Sequence, residues 1–188
     1  KINGWLTVPE ASALYELAHE ATGPIVEIGS WHGRSTAVLA LASMEGNYQP
    51  VYAIDPFSPV LKTMTGEITE ASSPELLRAN LDAAGVNGLV QIVAKASEAA
   101  AAEVPNEIDV LFVDGAHDYE SVKRDLALYL PKVRIGGRVA IHDCHEAEPG
   151  VVAAVDEVMS TQPNKWRCRW RADTIVIFGT PGVTVAAS

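Results

Sequence analysis

Apolar positions along the chain recur with two alternating periods. Thr7-Val8-Pro9-Glu10 has capping-box spacing, Leu14, Leu17, Ala18 and Ala21 follow at helical intervals, and Gly23-Pro24 closes that helix. Ile25-Val26-Glu27-Ile28-Gly29 is then a short β-branched run, succeeded by an alanine-rich helix over residues 35–44. The same order repeats. Residues 51–55 read as a second strand, and Ser73-Pro74 opens a helix carrying Leu76, Leu77, Leu81 and Ala84. Residues 89–93 and 108–113 read as the third and fourth strands, and Val122, Leu126, Tyr129 and Leu130 share one helical face. After a turn at Gly136-Gly137, residues 138–141 are a fifth strand and 151–159 a further helix. Residues 166–171 and 174–178 have no helix between them, which predicts an antiparallel hairpin.

Strands alternating with helices require right-handed crossovers and a sheet covered on both faces. The expectation is one doubly wound α/β domain over residues 1–188, with a mostly parallel seven-stranded sheet that ends in an antiparallel hairpin. A chain of 188 residues buries roughly 70% of its unfolded surface, enough to fold without a metal or disulfide staple. Fourteen basic against twenty-four acidic residues give a net charge of -10, which repels polyphosphate and argues against a nucleic-acid partner. No run of about 18 apolar residues is present, so no membrane span is expected. Two cysteines, Cys144 and Cys168, form no disulfide framework. The opening residues lack a charged segment followed by an apolar one, and the expected location is the cytoplasm.

Ligands of such sheets sit beyond the carboxyl ends of the strands. Four strand ends carry chemistry. The first is Glu27-Ile28-Gly29-Ser30-Trp31-His32-Gly33-Arg34-Ser35-Thr36, whose glycines permit a tight turn before a helix with unfilled N–H groups. Trp31 and Arg34 occupy the positions of the second and third glycines of a dinucleotide fingerprint, and no G-K-[ST] follows. The carboxylate of Glu27 repels a pyrophosphate and suits a cationic ligand; a plain strand-to-helix turn is the bland alternative. The second is Asp55, which can accept two hydrogen bonds from a ribose diol or merely serve the turn before Pro56. The third is Asp114-Gly115-Ala116-His117, with a histidine suited to proton transfer at the threshold of a helix. The fourth is His142-Asp143. Asp114, His142 and Asp143 can converge as ligands for a divalent ion; the bland alternative is that Asp143 only caps a turn. His145, Glu146 and Glu148 read as solvated loop residues, and His19 and His32 as non-catalytic.

These segments together resemble the class I S-adenosylmethionine-dependent methyltransferases, in particular the macrocin-type and cephalosporin-hydroxylase-like O-methyltransferase group, relatives of the catechol-type enzymes. The resemblance runs from about Thr7 to Phe178 and rests on 26–36, on Phe112-Val113-Asp114-Gly115-Ala116-His117-Asp118-Tyr119, and on Gly136-Gly137 leading to Ile141-His142-Asp143. It implies a Rossmann-like methyltransferase sheet. It implies that Glu27, Gly29, Ser30, Trp31, Gly33 and Ser35 hold the methionine end of S-adenosylmethionine, that Asp55, Pro56 and Phe57 lie at the ribose, and that Ala96 and Ser97 border the adenine, with Asp114 also at the cofactor. In metal-dependent members the positions of Asp114, His142 and Asp143 bind Mg2+ or another divalent cation, and in some members the position of His117 is a base. Two departures stand out: Trp31 replaces the middle glycine of the usual loop, and His142 stands where a second oxygen ligand is common.

The expected reaction is methyl transfer to a hydroxyl of a small molecule, metal-assisted, with His117 as base. An NAD-dependent oxidoreductase and a catalytically silent cofactor-binding domain are the competing readings. Residues 58–72, with Pro59, Leu61, Met64 and Ile68, are expected to line the acceptor pocket, and homodimerisation is a further expectation.

Overall fold

The computed structural model describes residues 1–57 and 71–181. The predicted acceptor-pocket residues Pro59, Leu61, Met64 and Ile68 lie outside that range. Seven strands form one sheet: β1 (Ile25–Ile28), β2 (Val51–Ile54), β3 (Val90–Val93), β4 (Ile108–Val113), β5 (Val133–Ile141), β6 (Arg167–Ala172) and β7 (Ile175–Gly179). Their order is β3-β2-β1-β4-β5-β7-β6. The first five run parallel, and β7 lies antiparallel between β5 and β6. The terminal hairpin expected from the sequence is present. Chain order reverses between β1 and β4, which puts a topological switch point at their carboxyl ends.

Among the described residues, six α-helices cover the faces: α1 (Val8–His19), α2 (Arg34–Glu45), α3 (Pro74–Ala83), α4 (Ser97–Ala100), α5 (Tyr119–Tyr129) and α6 (Pro149–Thr161). Side-chain alternation along the strands divides the core in two. Ile25, Val51, Ala53, Val110 and Phe112 pack against α1 to α3. Val26, Ile28, Ile54, Leu111 and Val113 pack against α4 to α6. All six residues of β4 are buried, as a strand covered on both faces requires.

Local chemistry starts the helices where the sequence predicts. The Thr7 N–H donates to Glu10 at 2.9 Å and the Glu10 N–H to the Thr7 hydroxyl at 3.4 Å, completing the capping box of α1. The Leu76 N–H donates to Ser73 at 3.1 Å, and Pro74 fills the first position of α3. β5 differs from expectation. It begins at Val133 and passes through Gly136-Gly137 instead of starting after a turn there. The β4–β5 register slips between Ile108 and Val110, so the glycines belong to an irregular stretch of strand. A Cβ on Gly137 would meet Val133 Cγ1 at 2.6 Å, which explains the small residue. Among the described residues, no helix is long and apolar enough to cross a membrane.

Trp166 is 1% exposed and meets the Phe178 ring edge-on with centroids 5.5 Å apart, anchoring the hairpin to α6. Trp166→Ala is expected to lower the unfolding free energy by about 3–5 kcal/mol, read from denaturant melts.

Candidate active site

The turn after β1 depends on close backbone approach. Gly29 has φ 91°, and a Cβ there would stand 2.0 Å from the Asp114 carbonyl oxygen at the end of β4. Its N–H donates to the Ile54 carbonyl at 2.8 Å, which ties the turn to β2 as well. Gly33 is the N-cap of α2 at φ 86° and provides no side-chain cap, so the first-turn N–H groups of α2 remain for a ligand at the carboxyl end of the sheet.

Glu27 faces α2 and is fully buried. The Thr36 hydroxyl donates to Oε2, while Oε1 has no hydrogen-bond partner. Burial pushes this carboxyl up to about 8; the Ser35 and Thr36 hydroxyls oppose the shift, and the charges of Asp114 and Asp55 add to it. Asp55 is held across the neighbouring turn. The Trp31 N–H donates to its Oδ2 at 2.8 Å and the Phe57 N–H to its Oδ1 at 2.7 Å. Trp31 and Phe57 both adopt positive φ, 42° and 51°, a conformation that non-glycine residues hold only where surrounding structure enforces it. Burial raises the Asp55 carboxyl, and the two N–H groups pull it back. Trp31 also stacks on His32 at 3.7 Å and on Trp5 at 4.9 Å, so His32 acts as packing. Pro56 is exposed beside Asp55, Ser30 is buried in the β1 turn, and Ala96 and Ser97 stand at the start of α4 after β3.

The second group forms where β4 and β5 end. The Asp114 N–H donates to the Ile28 carbonyl at 2.8 Å and the His142 N–H to the Val113 carbonyl at 3.0 Å, so the parallel ladder carries these residues side by side. His142 Nδ1 lies 3.1 Å from Asp114 Oδ1 and 3.0 Å from Asp143 Oδ2. Its Nε2 lies 3.4 Å from Glu10 Oε2. Both ring nitrogens are buried and neither makes a well-directed hydrogen bond. Burial opposes protonation of His142, but Asp114 and Asp143 outweigh it and push the imidazole up to about 11. Burial likewise raises Asp114 against the pull of His142, whereas in Asp143 the histidines win and the carboxyl is lowered.

His117 Nε2 is 3.3 Å from Asp143 Oδ2, and its Nδ1 is 3.7 Å from Glu148 Oε2. Donor atoms of Asp114, His117 and Asp143 all lie within 4.8 Å of one another. The structure therefore brings together all the predicted residues of β4 and β5, and it adds two that were read as solvated. Glu148 faces His117, and His145 Nε2 lies 3.6 Å from Asp143 Oδ1.

Residues 26–144, more than half of the chain, match the family described as Methyltransferase domain. The chain belongs to that family. Solved structures with the same fold include the O-methyltransferase NovP, at 19% identity and a TM-score of 0.74, covering 92% of this chain and 80% of NovP. The O-methyltransferase TomG from Streptomyces achromogenes, described in complex with SAM, gives 17% identity and a TM-score of 0.65 over 95% and 82% of the two chains. An O-methyltransferase from Bacillus cereus in complex with SAH gives 15% and 0.67 over 94% and 82%. A curated relative, an uncharacterized protein of Acanthamoeba polyphaga mimivirus, is 37% identical over 59 residues, which span 30% of this chain and 27% of the relative.

Within this methyltransferase-domain chain, three residues that contact the predicted site residues drew no such reading from the sequence. Thr36 holds Glu27, and its signal is a hydroxyl in the first turn of the helix after an acidic strand end. Glu10 was legible as a cap but not as the partner of Thr174 and His142, because only the folded sheet brings those residues to it. Asp125 receives the Ser97 hydroxyl and gives no sequence signal beyond a polar residue on an apolar helix face.

An acid raised from its ordinary 4.5 to about 8 by folding destabilises the folded chain progressively as pH rises between those values. Glu27→Gln removes that dependence. The melting temperature of Glu27→Gln, relative to the unsubstituted protein, is expected to climb from pH 5 to pH 8 and then level off.

Proposed function

We propose that the chain transfers a methyl group from S-adenosylmethionine to a hydroxyl of a small molecule. The observation that carries this reading is the orphan oxygen of Glu27, a buried carboxylate at a glycine turn. A cation placed there would stabilise the ionised form of the group, whereas a pyrophosphate would oppose its ionisation, which favours a cationic ligand over NAD. The amino-acid end of S-adenosylmethionine offers an ammonium and the sulfonium adds a second positive charge. Its carboxylate suits the N-terminus of α2, which Gly33 leaves without a side-chain cap. In this reading Glu27, Gly29, Ser30, Trp31, Gly33 and Ser35 hold the methionine end. Asp55, oriented by two N–H donors, takes the ribose hydroxyls, with Pro56 and Phe57 beside it. Ala96 and Ser97 border the base. The bound SAM and SAH of the TomG and Bacillus cereus proteins support the choice of donor.

The residues also fit a divalent cation. His142 Nδ1 is buried without a directed hydrogen bond and has carboxylate oxygens of Asp114 and Asp143 near 3 Å, a mixed nitrogen and oxygen donor set. Asp114 and Asp143, with His142 once its proton is displaced, would hold such an ion, which would supply Lewis acidity toward the acceptor hydroxyl. His117, next to Asp143, then accepts the acceptor's proton. The acceptor oxygen bonds to the methyl carbon in line with the breaking carbon–sulfur bond, whose electron pair stays on sulfur.

Calorimetric titration tests the donor. Micromolar binding of S-adenosylhomocysteine with none of NAD is expected; a folded protein that binds no S-adenosylhomocysteine overturns the reading. For the base, His117→Ala should lower turnover roughly 10²–10⁴-fold while leaving S-adenosylhomocysteine affinity in place. Full turnover in that variant would remove His117 from the mechanism. Asp143→Asn is expected to abolish stimulation by Mg2+ with donor binding retained.

A further inference from the structure

We propose that Glu10 is the positioning residue of the cation-binding pair: it holds the His142 ring with Nδ1 turned toward Asp114 and Asp143, and through Thr174 it holds the Asp143 backbone. The inference rests on the cation reading above and deepens it. Glu10 lies in the first turn of α1 and is 2% exposed. Completing the capping box occupies Oε2 alone, which takes the Thr7 N–H at 2.9 Å. The box explains neither the burial of this carboxylate nor its second oxygen. Oε1 takes the Thr174 hydroxyl at 2.6 Å and the Thr174 N–H at 3.1 Å, so a helix start and the turn between β6 and β7 close on one carboxylate.

Two paths lead from Glu10 to the pair after β5. The first is direct. Oε2 stands 3.4 Å from His142 Nε2, inside ion-pair range, while Nδ1 of the same ring has Asp114 Oδ1 at 3.1 Å and Asp143 Oδ2 at 3.0 Å. A carboxylate beside Nε2 keeps a proton on that nitrogen, so the lone pair offered to an ion is the one on Nδ1. The second path runs through Thr174. Asp143 has φ 53°, a conformation that a non-glycine residue keeps only under constraint from its surroundings. Its N–H donates to the Thr174 hydroxyl at 3.3 Å, and that hydroxyl donates in turn to Glu10. The Cys144 N–H donates to the Thr174 carbonyl at 3.0 Å, which fixes the turn to the same loop at a second point. One buried carboxylate thus sets a side chain and a neighbouring backbone, and neither path passes through Glu27 or Asp55.

Mn2+ alone is the probe, followed by calorimetry and by pulsed electron paramagnetic resonance. The unsubstituted protein should bind the ion and show coupling to an imidazole nitrogen, a coupling that persists in His117→Ala. Glu10→Gln should bind Mn2+ roughly 10- to 100-fold more weakly and lose the coupling, with S-adenosylhomocysteine affinity kept within a few-fold. Thr174→Val, which cuts only the path to Asp143, should weaken Mn2+ binding about 10-fold. Thr7→Ala removes the other half of the capping box and leaves both paths in place; it should lower the melting temperature and keep the Mn2+ affinity. Undiminished Mn2+ affinity in folded Glu10→Gln, or equal weakening in Thr7→Ala, would overturn the assignment while leaving the cation reading intact. If Glu10→Gln does not fold, Thr174→Val decides, and undiminished affinity there overturns the assignment. A folded unsubstituted protein that binds no Mn2+ removes the cation reading and this inference with it.

Discussion

Four carboxylates meet at the carboxyl ends of adjacent parallel strands, and the site is shaped by the need to manage their charge. Glu27, Asp55, Asp114 and Asp143 end β1, β2, β4 and β5 or follow them directly, under substantial burial. Burying like charges together is unfavourable unless protons, donors or cations compensate. The chain uses each remedy. Glu27 keeps its proton to an unusually high pH, Asp55 takes two backbone N–H groups, and Asp114 and Asp143 share the His142 imidazole. Glu27 Oε1 is left without a hydrogen-bond partner, which is the feature the proposed cationic donor would answer.

The parallel ladder imposes this convergence. Gly29 can approach the Asp114 carbonyl only because it lacks a Cβ, and that contact sets the spacing between the first turn and the β4 end. The antiparallel β7 then delivers Thr174 to Glu10, whose other oxygen faces His142. A helix cap at the start of the chain and a hairpin at its end are thereby joined to one histidine in the middle. The arrangement costs the folded chain stability, since burial raises the carboxyls of Glu27, Asp55 and Asp114 where well-packed apolar residues would carry no such penalty.

Much of this was legible in the sequence, for physical reasons. A sheet covered on both faces forces short β-branched strands, and strand ends in such sheets are where ligands bind, so Glu27, Asp55, Asp114 and Asp143 could be picked from one-dimensional order alone. The fold class, the strand count and the terminal hairpin followed from the same periodicity. Gly136-Gly137 misled because glycine marks a turn and an irregular strand equally well, and only the pairing of β4 with β5 decides between them. Glu10 and Asp125 were hidden because their contacts form only across the fold, whereas Thr36, nine residues from Glu27, left a local signal that went unread. Glu148 faces His117 for the same reason, although its place in the chain read as an exposed loop.

Near neutral pH, a cationic donor that binds beside Glu27 is expected to expel the proton that burial holds there. Titrating S-adenosylmethionine into the protein at pH 7 in buffers of differing ionisation enthalpy measures that proton directly. Release of close to one proton per molecule bound, absent in Glu27→Gln, is the result expected from a carboxyl at about 8 in the empty protein. Tight binding with no proton released, or equal release from the Gln variant, would contradict the claim that the buried acid at the end of β1 is what recognises the donor's charge.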